Sequence, residues 1–495
     1  MITDTSAPLR PPRDITAPPW AMWAVVGLMV APALVKTAAD PDLWGHVRFG
    51  LDVLATRAIP SVDPYSFTQD VPWIDHEWLS ELFMGVAFRT AGPAGVSILK
   101  GVLAGVFLLV VLRPYKSAAA FPFGAAVVVL VAGTVRQVLS FRPQIWSVIG
   151  IAVLCRLFIK APRRSWLVGV PLLFLLWANL HGGWIVGAGL VAVWSAFQIV
   201  RPEAGRGLVV GVAGLSALAT LVNPYGWNMW LFLARTVRPT RAITEWQPLI
   251  AAPLLVQITW TAVLLTVLVL VTTKPRLRAD RAVMVCLLAY GGFRVQRVTP
   301  LCVVAALVLM SPIIVERWPA RVRRFAPLSR REARGLALAA VVVALISGAA
   351  VLKAASCIVV SGDWIPDGVA GRALTATDTS GRIVTYFAWG EYAIWHLAPR
   401  LRVSIDGRRE TVYSEATLAR HDALEAATPE GIAYLQQLDP IYVWEPARLT
   451  TLRDWLAAHG YRIDVLTNRS FVAVRADQPV LRPFAGHVAA CYPDP

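Results

Sequence analysis

The 495-residue chain is short of charge. Only 16% of its residues are Asp, Glu, Lys or Arg, 56% are hydrophobic, and mean hydropathy is +0.57. A soluble protein of this length cannot cover its surface with so few charges, which excludes that class. Acidic residues are the scarcer sign, 31 against 47 basic, giving a net charge of +16. The excess does not point to nucleic acid, because the Lys and Arg residues are gathered into short loops. Cysteines number five. Cys155, Cys286 and Cys302 fall in apolar runs as packing residues, which leaves Cys357 and Cys491. The polar C-terminal stretch lacks a phosphate loop, zinc-ligand spacing and a nucleophile elbow, so none of those chemistries is expected there.

What the chain has is repeated apolar runs of about twenty residues, the length that crosses a hydrocarbon core roughly 30 Å thick. The expected class is a polytopic α-helical membrane protein with about eleven spans. They are placed at 20–38, 93–112, 121–135, 145–159, 166–180, 184–200, 208–222, 254–272, 282–293, 300–315 and 336–355. Residues 1–19 form a basic, Pro-rich tail. No small-residue cleavage site follows the first span, which argues against a cleaved signal peptide.

Basic residues fix the orientation. Arg113 and Lys116, Lys160 to Arg164, Arg201 and Arg206, Lys274 to Arg281 and the cluster from Arg317 to Arg334 fall on alternate loops. Positive charge resists translocation, so these loops and the N-terminus are cytoplasmic. The first loop, 39–92, and the terminal domain, 356–495, then face outwards, which in a bacterium is the periplasmic side of the inner membrane. The transmembrane domain covers 20–355.

The outer loop gathers Asp40, Asp42, His46, Arg48, Asp52, Asp63, Asp75, His76 and Glu77. Residues 76–90 read as a helix lying in the interface, ended by Gly92-Pro93. Further polar groups fall at the outer ends of later spans: Arg136 and Arg142, Asn179 and His181, Asn223, Glu245, and Arg294 and Arg297. An uncompensated arginine at membrane depth costs at least about 2.5 kcal/mol, so these need anionic partners, either the loop carboxylates or a phosphate. Arg294 and Arg297, three apart, share a face if helical. Blander roles compete: Asn223-Pro-Tyr-Gly226 is an ordinary turn, His181 suits a helix cap, Asp42 suits the cap of a helix beginning near Leu43, and the many Trp suit interfacial belts.

After Ser356, strand-like runs (382–387, 401–405, 440–444, 470–474) alternate with helix-like ones (414–427, 429–438, 449–459), which predicts a small extracytoplasmic α/β domain. Asp406-Gly407-Arg408 reads as a turn or a site. Cys357 and Cys491 bracket this domain in an oxidising compartment, and domain ends are often close, so a disulfide is expected.

Carboxylates facing arginines at an outer membrane mouth suit sugar transfer from a polyprenyl-phosphate donor. The phosphate needs Arg or His donors, and the acceptor hydroxyl needs a carboxylate base. Asp40-Pro-Asp-Leu-Trp-Gly-His46, Asp63-Pro-Tyr-Ser-Phe67 and Trp73-Ile-Asp-His-Glu-Trp78 resemble the first outer loop of GT-C fold glycosyltransferases. The likeness is to bacterial membrane proteins related to the protein O-mannosyltransferase and aminoarabinose-transferase group. The resemblance implies a catalytic base at Asp40, with Asp42 as second acid. Pro41 separates the two where the family's pair is usually adjacent, so which of them serves as base stays open. Arg136, Arg142, His181, Arg294 and Arg297 are the candidates for the donor phosphate. His46, Asp75, His76, Glu77, Asn179, Asn223 and Glu245 are those for donor sugar or a lipid, glycan or protein acceptor. No cofactor is assigned; an Asp-x-Asp pair suits a divalent metal, but the resemblance implies chemistry that can run without one. Two other classes compete. A flippase or transporter would put charges near the bilayer midplane in broken helices, whereas here they gather at one face. A non-catalytic assembly protein on a GT-C scaffold would tolerate loss of both acids.

Overall fold

The computed structural model describes residues 38–115, 140–200, 205–236, 246–273, 278–317, 330–360, 362, 364–486 and 491–494. The expected tail, the span at 121–135, all but the last residue of the span at 20–38, and Arg136 and Glu245 lie outside the described residues.

The apolar part is helical. The helices are α1 (Leu43–Thr56), α2 (Trp78–Leu112), α3 (Gln144–Phe158), α4 (Trp166–Leu180), α5 (Trp184–Val200), α6 (Arg206–Ala219), α7 (Trp227–Thr236), α8 (Leu254–Thr273), α9 (Ala279–Arg294), α10 (Thr299–Arg317) and α11 (Arg330–Ala355). Helix α2 is two segments, broken at Ala91 and Gly92. Gly92 sits at φ +58°, which side chains disfavour, and Pro93 opens the second segment because it needs no amide donor there. The helix thus breaks where the sequence places Gly92-Pro93. By length and composition, Trp78–Tyr115 and Gln296–Ile313 can cross a membrane among the described residues; 144–158, 166–180, 184–200 and 206–219 are shorter apolar helices.

These helices are apolar on nearly every side. Residues 301–310 of α10 are all buried, so this helix runs through the middle of the bundle. On α4, Val168, Leu172 and Leu176 recur every four residues and are exposed, a stripe suited to lipid. Cys155 and Cys302 are buried as expected, but Cys286 is exposed on α9, because its face of that helix turns outwards.

The C-terminal part is a five-stranded sheet of order β2-β1-β3-β5-β4, with β1 (Gly381–Thr385), β2 (Leu401–Val403), β3 (Tyr442–Pro446), β4 (Tyr461–Leu466) and β5 (Ser470–Arg475). The first three are parallel and the last two join antiparallel. Helices connect the parallel strands: α12 (Gly368–Thr375) precedes β1, α13 (Gly390–Leu397) follows it, and α14 (Glu415–Glu425) and α15 (Pro429–Leu438) lead from β2 to β3. Ser414 and Thr428 cap α14 and α15 through side-chain oxygens, with Pro429 in the first turn. The sequence reading misses β4, α7, α12 and α13, which are short or half-buried and carry weak periodicity.

The outer loop is part of this domain. Tyr65 and Phe67 exchange backbone bonds with Val403, adding a short rung to the open edge of β2. Asp70 accepts from the Ser414 amide and the Thr417 hydroxyl, both at 2.7 Å, so loop and domain are tied together. One core runs through Leu43, Trp44, Phe49, Tyr65 and Trp73 of the loop into Ile383, Tyr392, Val403 and Trp444.

Arg408 fastens the joint. It donates two bonds to Asp63 (2.8 Å each) and two to Asp406 (2.8 and 2.7 Å), while Tyr413 donates to Asp406 at 2.6 Å. Its guanidinium lies 4.6 Å from the ring of Trp73 and 5.1 Å from that of Phe49. Both carboxylates are buried. Burial raises the Asp406 carboxyl, but Arg408 outweighs that and holds it below its ordinary value. The Asp-Gly-Arg motif is therefore a buried tie.

Removing one partner of a buried ion pair strands the other charges. Arg408→Ala is expected to cost about 3–5 kcal/mol in chemical unfolding of the detergent-purified protein. Arg475→Ala, whose partners Asp439 and Asp477 are exposed, should cost under about 1 kcal/mol. Equal losses would show that Arg408 is no tie.

Candidate active site

The chain enters the site through a strap. Ala38 pairs with Val359 and Val359 with Cys491, and the Ala39 amide donates to the Val359 carbonyl at 2.8 Å. Beside them a disulfide joins Cys357 to Cys491, Cα atoms 5.1 Å apart. Asp40 is the next residue, so its backbone is held from three chain segments.

Asp42 occupies the N-cap position of α1, but its side chain makes no capping bond. The Asp42 amide instead donates to Asp40 Oδ1 at 3.2 Å. Pro41 has turned the two carboxylates apart, and Arg142 spans them: its Nε donates to Asp40 Oδ2 at 2.6 Å, and its Nη2 lies 3.4 Å from Asp42 Oδ2. Arg142 has thus found the loop carboxylates. Burial lifts the Asp40 carboxyl above its ordinary value against the pull of Arg142, with the Asp42 charge adding to the lift. A carboxylate with raised proton affinity is a better base.

Arg142 also borders an apolar cleft between α2 and α3. Met84, Val96, Leu99, Leu103 and Ile145 give it apolar walls, and Lys100 joins Arg142 as a second cation. Lys100 is buried, with its ammonium 4.5 Å from the ring centroid of Phe141. The sequence reading passed over Lys100. A lone lysine two turns inside a span was the available signal, since an ionisable group at that depth is functional by default.

A second cluster gathers residues from α1, the start of α2 and the end of α4. His46, one turn along α1 from Asp42, contacts Glu81 Oε1 at 3.0 Å. Glu77 Oε1 lies 3.4 Å from both His76 Nε2 and His181 Nε2. Ser147 and the Gly183 amide donate to His181 Nδ1, leaving the proton on Nε2, towards Glu77. Burial pushes His181 down to about 3, so it is neutral and committed to protein partners rather than free for a phosphate. His76 and Glu77 form a true ion pair. Burial opposes both charges, yet Glu77 raises His76 and His76 draws Glu77 well below the usual carboxylate range. Asp75 is buried and its carboxyl is raised, by burial first and then by the Glu81 charge; its amide donates to the Tyr225 hydroxyl at 2.9 Å.

Other expected site residues hold the scaffold. Asn179 accepts from Trp78 Nε1 and donates to the carbonyls of Leu175 and Val222. Asn223 closes its own turn through Thr220 and Tyr225. Arg294 and Arg297 do not share a helix face. Helix α9 ends at Arg294, Val295 is extended, and Arg297 lies in a separate 3₁₀ turn. Their spacing is helical only in the sequence. Among the described residues, no three His, Cys, Asp or Glu side chains come together to hold a metal ion.

The His76–Glu77 pair carries a pH signature. A histidine raised on folding stabilises fully below its unfolded value of 6.5, and that contribution is lost as pH rises through the folded value. The thermal midpoint in detergent should therefore fall on the alkaline side of 6.5. In Glu77→Gln that fall should largely disappear, and a fall of unchanged size would disprove the pairing.

No protein-family model and no curated protein matches the sequence. Among solved structures the chain is similar to ArnT from Cupriavidus metallidurans, in crystal structures bound to undecaprenyl phosphate and in the apo state. Each shows 13% identity and a TM-score of 0.52, with 92% of this chain and 97% of that chain covered. An identity that low speaks for architecture alone. Over nearly its whole length, then, this chain has the GT-C membrane fold that its first outer loop resembles.

Proposed function

We propose that this protein is a membrane glycosyltransferase that moves a sugar from a polyprenyl-phosphate-linked donor to an acceptor at the outer face of the membrane. One observation carries the reading: Arg142 grips Asp40 and Asp42 at one end of an apolar cleft and borders that cleft itself. An amphiphile with an isoprenoid tail and an anionic head fits such a place. The tail takes the apolar walls, and the phosphate meets Arg142 and Lys100. The likeness to a fold whose solved example holds undecaprenyl phosphate supports the same ligand class.

The chemistry follows from the contacts. An incoming phosphate competes with Asp40 for Arg142. As it takes the arginine, Asp40 loses its counter-ion inside a buried setting, and its proton affinity rises further. Asp40 then accepts the proton of the acceptor hydroxyl as that oxygen attacks the anomeric carbon. The sugar–phosphate bond breaks, and the departing phosphate keeps its charge against the two cations. Asp42 orients the acceptor, and the His76–Glu77 cluster holds the loop that carries both acids. The arrangement goes with eleven spans, a cytoplasmic N-terminus and a periplasmic terminal domain, in a bacterial inner membrane. The acceptor is a lipid, glycan or protein.

Replacing the base by its amide should separate chemistry from binding. Asp40→Asn is expected to fold, to bind a polyprenyl-phosphate sugar, and to transfer about 10²–10⁴ times more slowly. If Asp40→Asn matches wild type while Asp42→Asn is slow, the base is Asp42. Wild-type rates in both would end the enzyme reading.

A further inference from the structure

The terminal domain reaches into the acidic mouth with one side chain. Glu391, in the first turn of α13, is 4% exposed, and its Oε2 has no hydrogen-bond partner. Its carboxyl occupies space that two glycines leave open. A Cβ on Gly45 of the outer loop would stand 2.2 Å from Oε2. A Cβ on Gly407 would stand 2.6 Å from Oε1 and 2.8 Å from Asp42 Oδ1, so both acids border the same methyl-sized gap. Gly45 belongs to the Asp-Pro-Asp-Leu-Trp-Gly-His motif and Gly407 to Asp-Gly-Arg. Two motifs far apart in sequence are thus kept small around one carboxyl.

Building on the function proposed above, we propose that Glu391 is a positioning residue of the catalytic centre, a carboxyl supplied by the terminal domain that sets the orientation of Asp42. It lies within the electrostatic reach of Asp42, Asp406, Arg408 and Glu81. Burial, then the charges of Asp42 and Asp406, favour its neutral form; Arg408 opposes but is already shared between Asp63 and Asp406. A neutral carboxyl is a hydrogen-bond donor, whereas an ionised one would repel Asp42. While Glu391 keeps its proton, Asp42 is held beside Asp40. Once alkaline pH removes that proton, the two carboxylates push apart and the acceptor loses its guide.

The test uses the full-length protein in detergent, with a polyprenyl-phosphate sugar as donor. Glu391→Ala should lower kcat about tenfold or more without changing the donor KM. Glu391→Gln, a permanent neutral donor of the same shape, should recover most of that loss and abolish the alkaline fall of the wild-type kcat profile. Wild-type kcat in Glu391→Ala, or an alkaline limb that persists in Glu391→Gln, would overturn the proposal. Infrared difference spectra serve where activity cannot. One protonated-carboxyl component should be present in wild type, lost in Glu391→Gln and shifted in Asp42→Asn; absence of that component, or indifference to Asp42→Asn, refutes the coupling. If no sugar is transferred by wild type, the glycosyltransferase reading falls, and the spectra still decide whether Glu391 is bound to Asp42. If Glu391→Ala does not fold, Glu391→Gln and the spectra decide.

Discussion

The arrangement at the outer mouth depends on Arg408. Its guanidinium sits between Asp63 of the first outer loop and Asp406 of the terminal domain, ringed by Trp73, Phe49 and Tyr65. Four of its hydrogen bonds end on carboxylates, and the aromatic faces take the remaining surface of the cation. Such a cluster gains little net stability, because three charged groups must leave water. It does fix geometry: a planar fork bonded to two carboxylates permits few relative positions of loop and domain. The Glu391 carboxyl fits between Gly45 and Gly407 only at the position so fixed.

A second constraint comes from the membrane side. The break at Ala91–Gly92 redirects α2, so one element carries Glu81 to the acidic cluster and Lys100 into the apolar cleft. Arg142, from the segment leading into α3, closes the gap between cleft and acids. The charges meet beside the cleft, which pairs the arginine with carboxylates and leaves the cleft walls apolar. The strap through Ala39, Val359 and the Cys357–Cys491 disulfide holds Asp40 at the rim of this junction. Terminal domain and transmembrane bundle build the mouth together.

Much of this was legible in the sequence. Apolar length and basic loops gave the membrane class, since the cost of burying charge in hydrocarbon is written directly into composition. Gly92-Pro93 marked the break in α2 through backbone sterics alone, and Ser414, Thr428 and Pro429 marked helix starts by capping chemistry. The motif beginning at Asp40 pointed to the GT-C fold, and Cys357 and Cys491 stood out as the pair outside the spans. Other features needed the tertiary structure. Whether Arg142 met a phosphate or the loop acids, whether His181 was free, and whether Arg294 and Arg297 shared a face all depend on where helices end and what packs across from them. Glu391 and Asp406-Gly407-Arg408 lie more than 300 residues beyond Asp63 of the loop they complete, and nothing local distinguishes them from an ordinary helix start and turn. Local propensity and hydropathy are properties of neighbours along the chain; the meeting of Asp42, Gly45, Glu391 and Gly407 is set by the fold, because a buried carboxyl's role depends on which distant groups share its desolvated space.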